Sequence, residues 1–281
     1  MKNIAVIPNN KKDIGLVCTR RIVNCLTGKA NLYMNKMYAV SALPVQYVPG
    51  EELYEKVEIV IVLGGDGTIL QIANQIANKD IAVMGINLGR IGFMSEIEVD
   101  DIEKAAELLI NDYYRIEQRM MMQVQIKKDG NIQGSYPALN DVVISKSAGT
   151  KLIGMKLFAD GEKVNAYIAD GLILATPTGS TGYSLSAGGP VVDPLMRLFI
   201  ATPICAHMLS ARSAVLSADK EIVIRLDEDF AENDAMVSID GDVQAYIKNG
   251  DEISVTIAKH QTKLIKIGNQ SFYDTLIRKL S

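Results

Sequence analysis

The sequence predicts an α/β domain at the N-terminus followed by a predominantly β domain, with a C-terminal segment that packs back onto an earlier element. Three observations carry this prediction. Early apolar runs that do not alternate ("NIAVI", "EIVIVLGG", "IAVMGIN") are followed by segments with apolar residues at helical spacing, the pattern of strands covered on both faces by helices. From Tyr114 the texture changes to many short runs of period-two character, separated by Gly and Asn or Asp. The closing "SFYDTLIRKL" puts Phe272, Leu276 and Leu280 on one helical stripe, which needs an earlier element to pack against. The expected divisions are 1–113 for the α/β domain, 114–265 for the β-rich domain and 266–281 for the returning segment.

In chain order, residues 3–7 read as a strand, "PNNKKD" as a turn, and Ile14, Val17, Cys18, Ile22 and Cys25 as one face of a helix. A second strand occupies the start of 58–67, and Ile69, Ile72, Ala73 and Ile76 mark the helix after it. A third strand lies within 81–89, and the acidic "DDIEKAAELLI" closes the domain as a helix. Beyond it, "RIEQRMMMQVQI", "ALNDVVIS", "KLIGMKLFA", "EIVIRL", "AMVSID", "VQAYI" and "EISVTIA" read as strands. The separators "KKDGN", "ADGE" and "KNGDE" carry the residues that tight turns with positive φ require. Met120, Met121 and Met122 read as sheet filler.

Composition bounds the function. With 48% hydrophobic and 22% charged residues in 281, the chain has the means for ordered cores and a charged exterior. A formal charge of -4 and a pI near 5.4 give no general attraction to nucleic acid, so only a local phosphate site is expected. Cys18, Cys25 and Cys205 form no CxxC pair and suit a reduced, cytoplasmic compartment. No stretch approaches the roughly 18 apolar residues of a membrane span, and the start reaches charged residues before a signal-peptide core could form. Two histidines, His207 and His260, offer no metal cluster.

The sharpest local signal is "VIVLGGDGTIL", a strand that runs through Gly64, Gly65, Asp66 and Gly67 into Thr68 at a helix start. Glycines leave backbone N–H groups uncovered and the helix N-terminus adds a partial positive field, so Gly65, Gly67 and Thr68 suit phosphate. A carboxylate beside phosphate must bind a metal, orient a hydroxyl or take its proton, all of which suit phosphoryl transfer; the other reading of Asp66 is a helix cap. The loop follows a strand of an α/β sheet, where ligand sites lie. Neither GxxxxGK[ST] nor GxGxxG is present, so a P-loop lysine is not expected. After the next strand, "GINLGRIGFMSE" offers Asn87 and Gly89 to the same crevice and Arg90 to phosphate, with Phe93 as core or a stacking ring.

In the second domain "ADGLILATPTGSTGYSLSAGGP" joins a strand to a loop dense in hydroxyls and glycines. Thr176, Thr178, Ser180, Thr181 and Ser184 can bond phosphate or sugar without adding charge, and Gly179 and Gly182 allow close backbone approach. Tyr183 and Ser186 belong to the same loop, and Asp170 before it accepts from a cofactor group or caps a turn. Asn140 and Asp141 in "ALNDVVIS" are a donor–acceptor pair suited to adenine and ribose. Asp240-Gly241 in "SIDGDV" is either a hairpin turn or a carboxylate aimed at the hydroxyl loop.

Taken together, "GGDGT", "NLGRIGF", "LND", "DGLILATPTGSTGYSLSAGGP", "PICAH" and "SIDG" resemble the NAD kinase family, in order along nearly the whole chain. The resemblance implies transfer of a terminal phosphoryl group from ATP or polyphosphate to the adenosine ribose 2′-hydroxyl of NAD, forming NADP, with Mg²⁺ or another divalent cation offsetting donor charge. It gives Asp66 the role of orienting or deprotonating that hydroxyl, and Asn140 and Asp141 the adenosine. Asp170, Thr181 and Ser186 would border the nicotinamide end. It implies a C-terminal segment that returns to the first domain, and a homodimer or homotetramer in which a neighbouring subunit helps to complete the site. Two positions depart from the family pattern: Asp141 stands where Glu is common, and Ile168 where a basic residue is often found. The competing functions are a lipid or sugar kinase that shares the GGDGT loop, and an NAD-binding regulatory module without turnover.

Overall fold

We describe a computed structural model of the chain over residues 1–90, 92–147, 151–208, 211–230 and 234–280, the side chains of Val40 and Leu280 apart. The chain divides into two compact units, residues 1–118 with 262–281, and residues 119–261.

The first unit alternates β1 (Lys2–Pro8), α1 (Val17–Leu26), β2 (Ala30–Asn35), β3 (Gln46–Val48), the single turn α2 (Gly50–Leu53), β4 (Ile59–Gly64), α3 (Asp66–Gln75), β5 (Ala82–Asn87) and α4 (Ile102–Ile110). All pairings among its strands are parallel, in the order β3-β2-β1-β4-β5. β4 is buried at every one of its six residues, which is why "IVIVLG" does not alternate. Strand order reverses between β1 and β4, whose neighbours lie on opposite sides, and this is the topological switch point of the sheet.

The first helix differs from expectation. Ile14 and Val17 are exposed, and the buried face is Thr19, Ile22, Val23 and Leu26. The cause is Leu16, left-handed at φ 56°, which starts the helix anew at Val17. The buried Asp13 carboxylate caps this start, accepting from the Cys18 and Thr19 N–H groups at 2.9 Å each and from the Thr19 hydroxyl at 2.6 Å.

The second unit holds β6 (Arg115–Lys128, entering from the first), β7 (Asn131–Ala138), β8 (Asp141–Lys146), β9 (Ile153–Ala159), β10 (Glu162–Ala169), β11 (Gly171–Ala175), the turn α5 (Tyr183–Ser186), β12 (Leu198–Ile204), β13 (Ala214–Ser217), β14 (Ile222–Leu226), β15 (Ala235–Ile239), β16 (Asp242–Ile247) and most of β17 (Glu252–Lys266). One antiparallel sheet runs β10-β9-β14-β17, and a second runs β13-β12-β11-β8-β15-β16. One core draws on both sheets, with Leu157 and Ile224 from the first and Val142, Leu172, Leu174 and Val237 from the second. β11 is buried on its other face too, where Ile173 and Ala175 meet Ala187 and Val192, so "GLILA" is apolar throughout.

Three hairpins turn on Asp129-Gly130, Asp160-Gly161 and Asp240-Gly241, with both residues of each pair at positive φ, the geometry that matches strand twist. Strands β2, β3, β7, β10, β12 and β13 were not among the sequence expectations.

The last residues of β17 rejoin the first unit, pairing parallel to β5 through Lys263 and Leu264. There α6 (Phe272–Leu280) sets Phe272 5.7 Å from Phe93, ring centre to ring centre, so the returning segment is present as expected. Leu276 is half-buried, and the Leu280 side chain lies outside the described residues. Lys266, buried, pairs with Glu96. Among the described residues no helix is long and apolar enough to cross a membrane.

Candidate active site

The sequence-predicted residues fall into two groups, one in each unit. In the first, β4 delivers Gly64 and Gly65, and α3 begins at Asp66. The carboxylate of Asp66 bonds to the loop after β5 and not to its own helix. Its Oδ2 accepts from the Phe93 N–H at 2.7 Å, and its Oδ1 accepts from the N–H groups of Met94 and Ser95 at 3.1 Å and from the Ser95 hydroxyl at 3.2 Å. A carboxylate has about four lone-pair sites, two on each oxygen. Three donors crowd Oδ1, whereas Oδ2 has a single donor, so that one of its two lone pairs is unmatched among the described residues.

This clamp depends on Gly92, where a Cβ would lie 2.2 Å from Asp66 Oδ1 and 2.4 Å from Ser95 Oγ. In the sequence Gly92 and Ser95 carry no signal beyond membership of "GRIGFMS". Gly64 likewise leaves room for Thr68, whose Oγ1 accepts from Asn9 Nδ2 at 2.9 Å. Gly67 is exposed with open space beside it.

Asn87 is buried and shapes its own loop, its Oδ1 accepting from the Gly89 N–H at 3.1 Å. Arg90 is exposed at the rim of that loop, and Ile91 of the same motif lies outside the described residues. Phe93 is enclosed by Phe272 and by the Lys279 ammonium 4.2 Å from its ring centre, so what it turns toward Asp66 is its backbone N–H.

In the second unit Asn140 and Asp141 stand at the start of β8, where the carboxylate of Asp240 accepts from the N–H groups of Leu139, Asn140 and Asp141 at 2.8, 2.8 and 3.0 Å. Asp240 is thus both a hairpin residue and a carboxylate directed at another strand, where it holds the segment 139–141. Burial, and then the nearby charge of Asp240, push the Asp141 carboxyl up to about 7. The Oδ1 of Asn140 is buried with no hydrogen-bond partner, an acceptor aimed at nothing in the protein.

The hydroxyl loop packs onto this pair. Thr176 donates its N–H to Asn140 O at 2.8 Å and its hydroxyl to Leu139 O at 2.6 Å. A Cβ on Gly179 would lie 2.2 Å from Asn140 O, and one on Gly182 would lie 3.6 Å from Asn140 Nδ2 and 4.0 Å from Asp141 Oδ2. The structure therefore brings Asn140, Asp141 and Gly182 together.

Several hydroxyls in the loop bond within the fold. Ser180 bonds both to and from the Val192 backbone, buried Ser184 shares a bond with Thr202, and buried Thr178 meets Arg119 Nη1 at 3.4 Å. Thr181, half-buried, bonds Thr178 O at 3.3 Å, and Tyr183 and Ser186 are exposed. Asp170 lies elsewhere: it precedes β11 while the loop follows it, and Asp141 pairs with Ala175 at the loop end. Five strand residues separate the two, roughly 17 Å at about 3.4 Å each. Asp170 instead pairs with Lys146 at 2.7 Å. His207 and His260 are both exposed, and among the described residues no group of three or more His, Cys, Asp or Glu could hold a metal.

Residues 36–114 match the model of the ATP-NAD kinase N-terminal domain, and residues 139–267 that of the C-terminal domain. The chain is 40% identical over 283 residues to an NAD kinase of Lachnoclostridium phytofermentans, covering 99% of each chain. It is 38% identical to an NAD kinase of Caldanaerobacter subterraneus subsp. tengcongensis, covering 100% of this chain and 99% of the relative. Among solved structures it is similar to yeast NADH kinase complexed with NADH, with a TM-score of 0.89 and 26% identity over 100% of this chain and 86% of that one. It is also similar to the NAD kinase from Archaeoglobus fulgidus in complex with ATP, with a TM-score of 0.76 and 26% identity over 99% and 98%.

Proposed function

Because the chain belongs to the ATP-NAD kinase family and phosphorylates NAD, we propose that Asp66 holds the 2′-hydroxyl of the adenosine ribose for attack on the donor's terminal phosphorus, yielding NADP. One observation carries this assignment: the Asp66 carboxylate is fixed by four donors and keeps one acceptor direction on Oδ2. A hydroxyl that donates into that direction is oriented, and its proton has a place to go as the new bond forms. Phosphoryl transfer with a loose transition state asks for position and charge stabilisation more than for a strong base, which suits a carboxylate held this firmly.

Asn140 and Asp141 bind the adenosine, the unpartnered Oδ1 of Asn140 accepting from the ligand. Gly182 lets the ligand approach this pair closely, and Thr181, Tyr183 and Ser186 continue the surface. Thr178 contributes as backbone and packing, given its burial. Gly65, Gly67 and Thr68 face the donor phosphates, with Asn87 shaping and Arg90 flanking the neighbouring loop. Phe93 takes part through the N–H that holds Asp66.

ATP is the donor favoured here, in keeping with the archaeal neighbour's complex; polyphosphate is the second donor to assay. The divalent cation, Mg²⁺ by preference, enters with the donor, since the described residues build no acidic cage for it and Mg²⁺ is commonly held through substrate phosphates. It offsets phosphate charge there. Asp170, far along β11 from Asp141, fits a homodimer or homotetramer in which a neighbouring subunit completes the nicotinamide end. A reduced cytoplasmic setting suits the three free cysteines.

The test is Asp66→Asn beside Ser95→Ala, assayed for NADP with NAD, Mg²⁺ and ATP. We expect the first to lower turnover by at least ~10²-fold with NAD affinity kept within about threefold, and the second, which keeps the carboxylate, to retain most activity. Near wild-type NADP formation by Asp66→Asn removes the assigned role.

A further inference from the structure

We infer that Lys12 supplies the cation that seats the donor's terminal phosphate, standing in from the β1 loop for the lysine that a P-loop carries in its own glycine sequence. This rests on the reading that the GGDG loop takes the donor phosphates. Lys12 belongs to "PNNKKD", which by sequence is only a turn.

The ammonium of Lys12 lies 3.0 Å from where a Cβ on Gly65 would be, and 3.1 Å from where one on Gly89 would be. One cation therefore stands over both the loop after β4 and the loop after β5, and the missing side chains of two glycines make its room. Among the described residues Lys12 has no carboxylate or hydrogen-bond partner for its side chain, and it is exposed. Its backbone is anchored. Asn9 donates its N–H to Leu63 O at 2.9 Å and its Nδ2 to Thr68 Oγ1, and its carbonyl accepts from the N–H groups of Lys12 and Asp13 at 3.0 and 2.8 Å. Asp13, next in the chain, is locked to the start of α1.

The position is also topological. Lys12 follows β1 and Gly65 follows β4, so the two loops flank the point where strand order reverses, the place at which open α/β sheets bind ligands. An ammonium is a compact point charge, suited to phosphate oxygens whose direction changes during transfer.

In the step, the ribose 2′-oxygen forms a bond to the terminal phosphorus as the bond from that phosphorus to the donor's bridging oxygen breaks. The electron pair leaves on ADP, and the hydroxyl proton passes toward Asp66. Lys12 holds the transferring phosphate's oxygens and exchanges no proton. It is a positioning residue that touches the donor.

The experiment compares wild type, Lys12→Met and Lys12→Arg in two assays. Titration with a non-hydrolysable ATP analogue plus Mg²⁺ reads donor binding, and NAD titration serves as the internal control. Steady-state NADP formation then reads kcat/KM for ATP. Lys12→Met is expected to weaken the analogue by roughly tenfold or more, to lower kcat/KM for ATP about 10²-fold and to leave NAD affinity unchanged, with Lys12→Arg recovering part of both losses. Unchanged analogue affinity in Lys12→Met, or an equal loss of NAD affinity, overturns the assignment. A wild type that binds the analogue but forms no NADP defeats the kinase reading alone, and the analogue titration still decides Lys12.

Discussion

Replacing Asp141 by Asn should remove a pH dependence of stability that the native chain carries. The Asp141 carboxyl is 6% exposed and raised from 3.8 to about 7, chiefly by burial and then by the charge of Asp240. Between about pH 4 and 7 the folded chain keeps this proton while the unfolded chain has released it, so the native state binds more protons and stability falls as pH rises. Above about 7 the charged form is present in both states and the loss is complete. Between 3.8 and about 7, at about 1.36 kcal/mol for each tenfold change in proton affinity, the loss amounts to about 4 kcal/mol. Asn has nearly the same shape and does not ionise. Its stability curve should therefore lack this descent, converging on wild type below about pH 4 and lying above it by up to about 4 kcal/mol at pH 8. Urea unfolding followed by far-ultraviolet circular dichroism, in half-unit steps across that range, measures both curves. Parallel curves, or a wild type more stable than the variant at pH 8, refute the reasoning.

Two further outcomes follow from the first unit. In Gly92→Ala the new methyl would lie 2.2 Å from Asp66 Oδ1, so the carboxylate must move; turnover should drop about 10²-fold with NAD affinity nearly unchanged, and steady-state kinetics at wild-type level would refute the clamp. Lys266→Met leaves the largely enclosed carboxylate of Glu96 without its ammonium, which should destabilise the chain by about 3 kcal/mol. Adding Glu96→Gln should restore part of that loss in the same urea titration, and a double variant no more stable than Lys266→Met alone would show that the pair is not what was lost.

Much of the fold was legible because local pattern and tertiary role agree. "IVIVLG" is apolar throughout since a parallel strand is covered on both faces, and Asp-Gly pairs announce hairpins because few residues accept positive φ in succession. Strand β10 was not legible: "EKVNAYIA" is an edge strand that buries only Tyr167 and Ala169, too few to show a period. Ile14 and Val17 extended an apparent helical stripe past its true start, because periodicity does not register the left-handed break at Leu16.

By itself the sequence determined the two classes of domain, through the period of its apolar runs, and it marked the loops proposed to carry the chemistry, through local clusters of Gly, Asp and hydroxyl residues whose motifs resemble those of one family. Only the tertiary structure decided which side chains meet. Asp66 finds its donors at 93–95, Asp240 holds a segment about a hundred positions away, Lys12 reaches Gly65 and Gly89, and Thr176, Ser180 and Ser184 turn inward. Such contacts join the ends of strands that are neighbours in a sheet and distant in the chain, so no local periodicity records them.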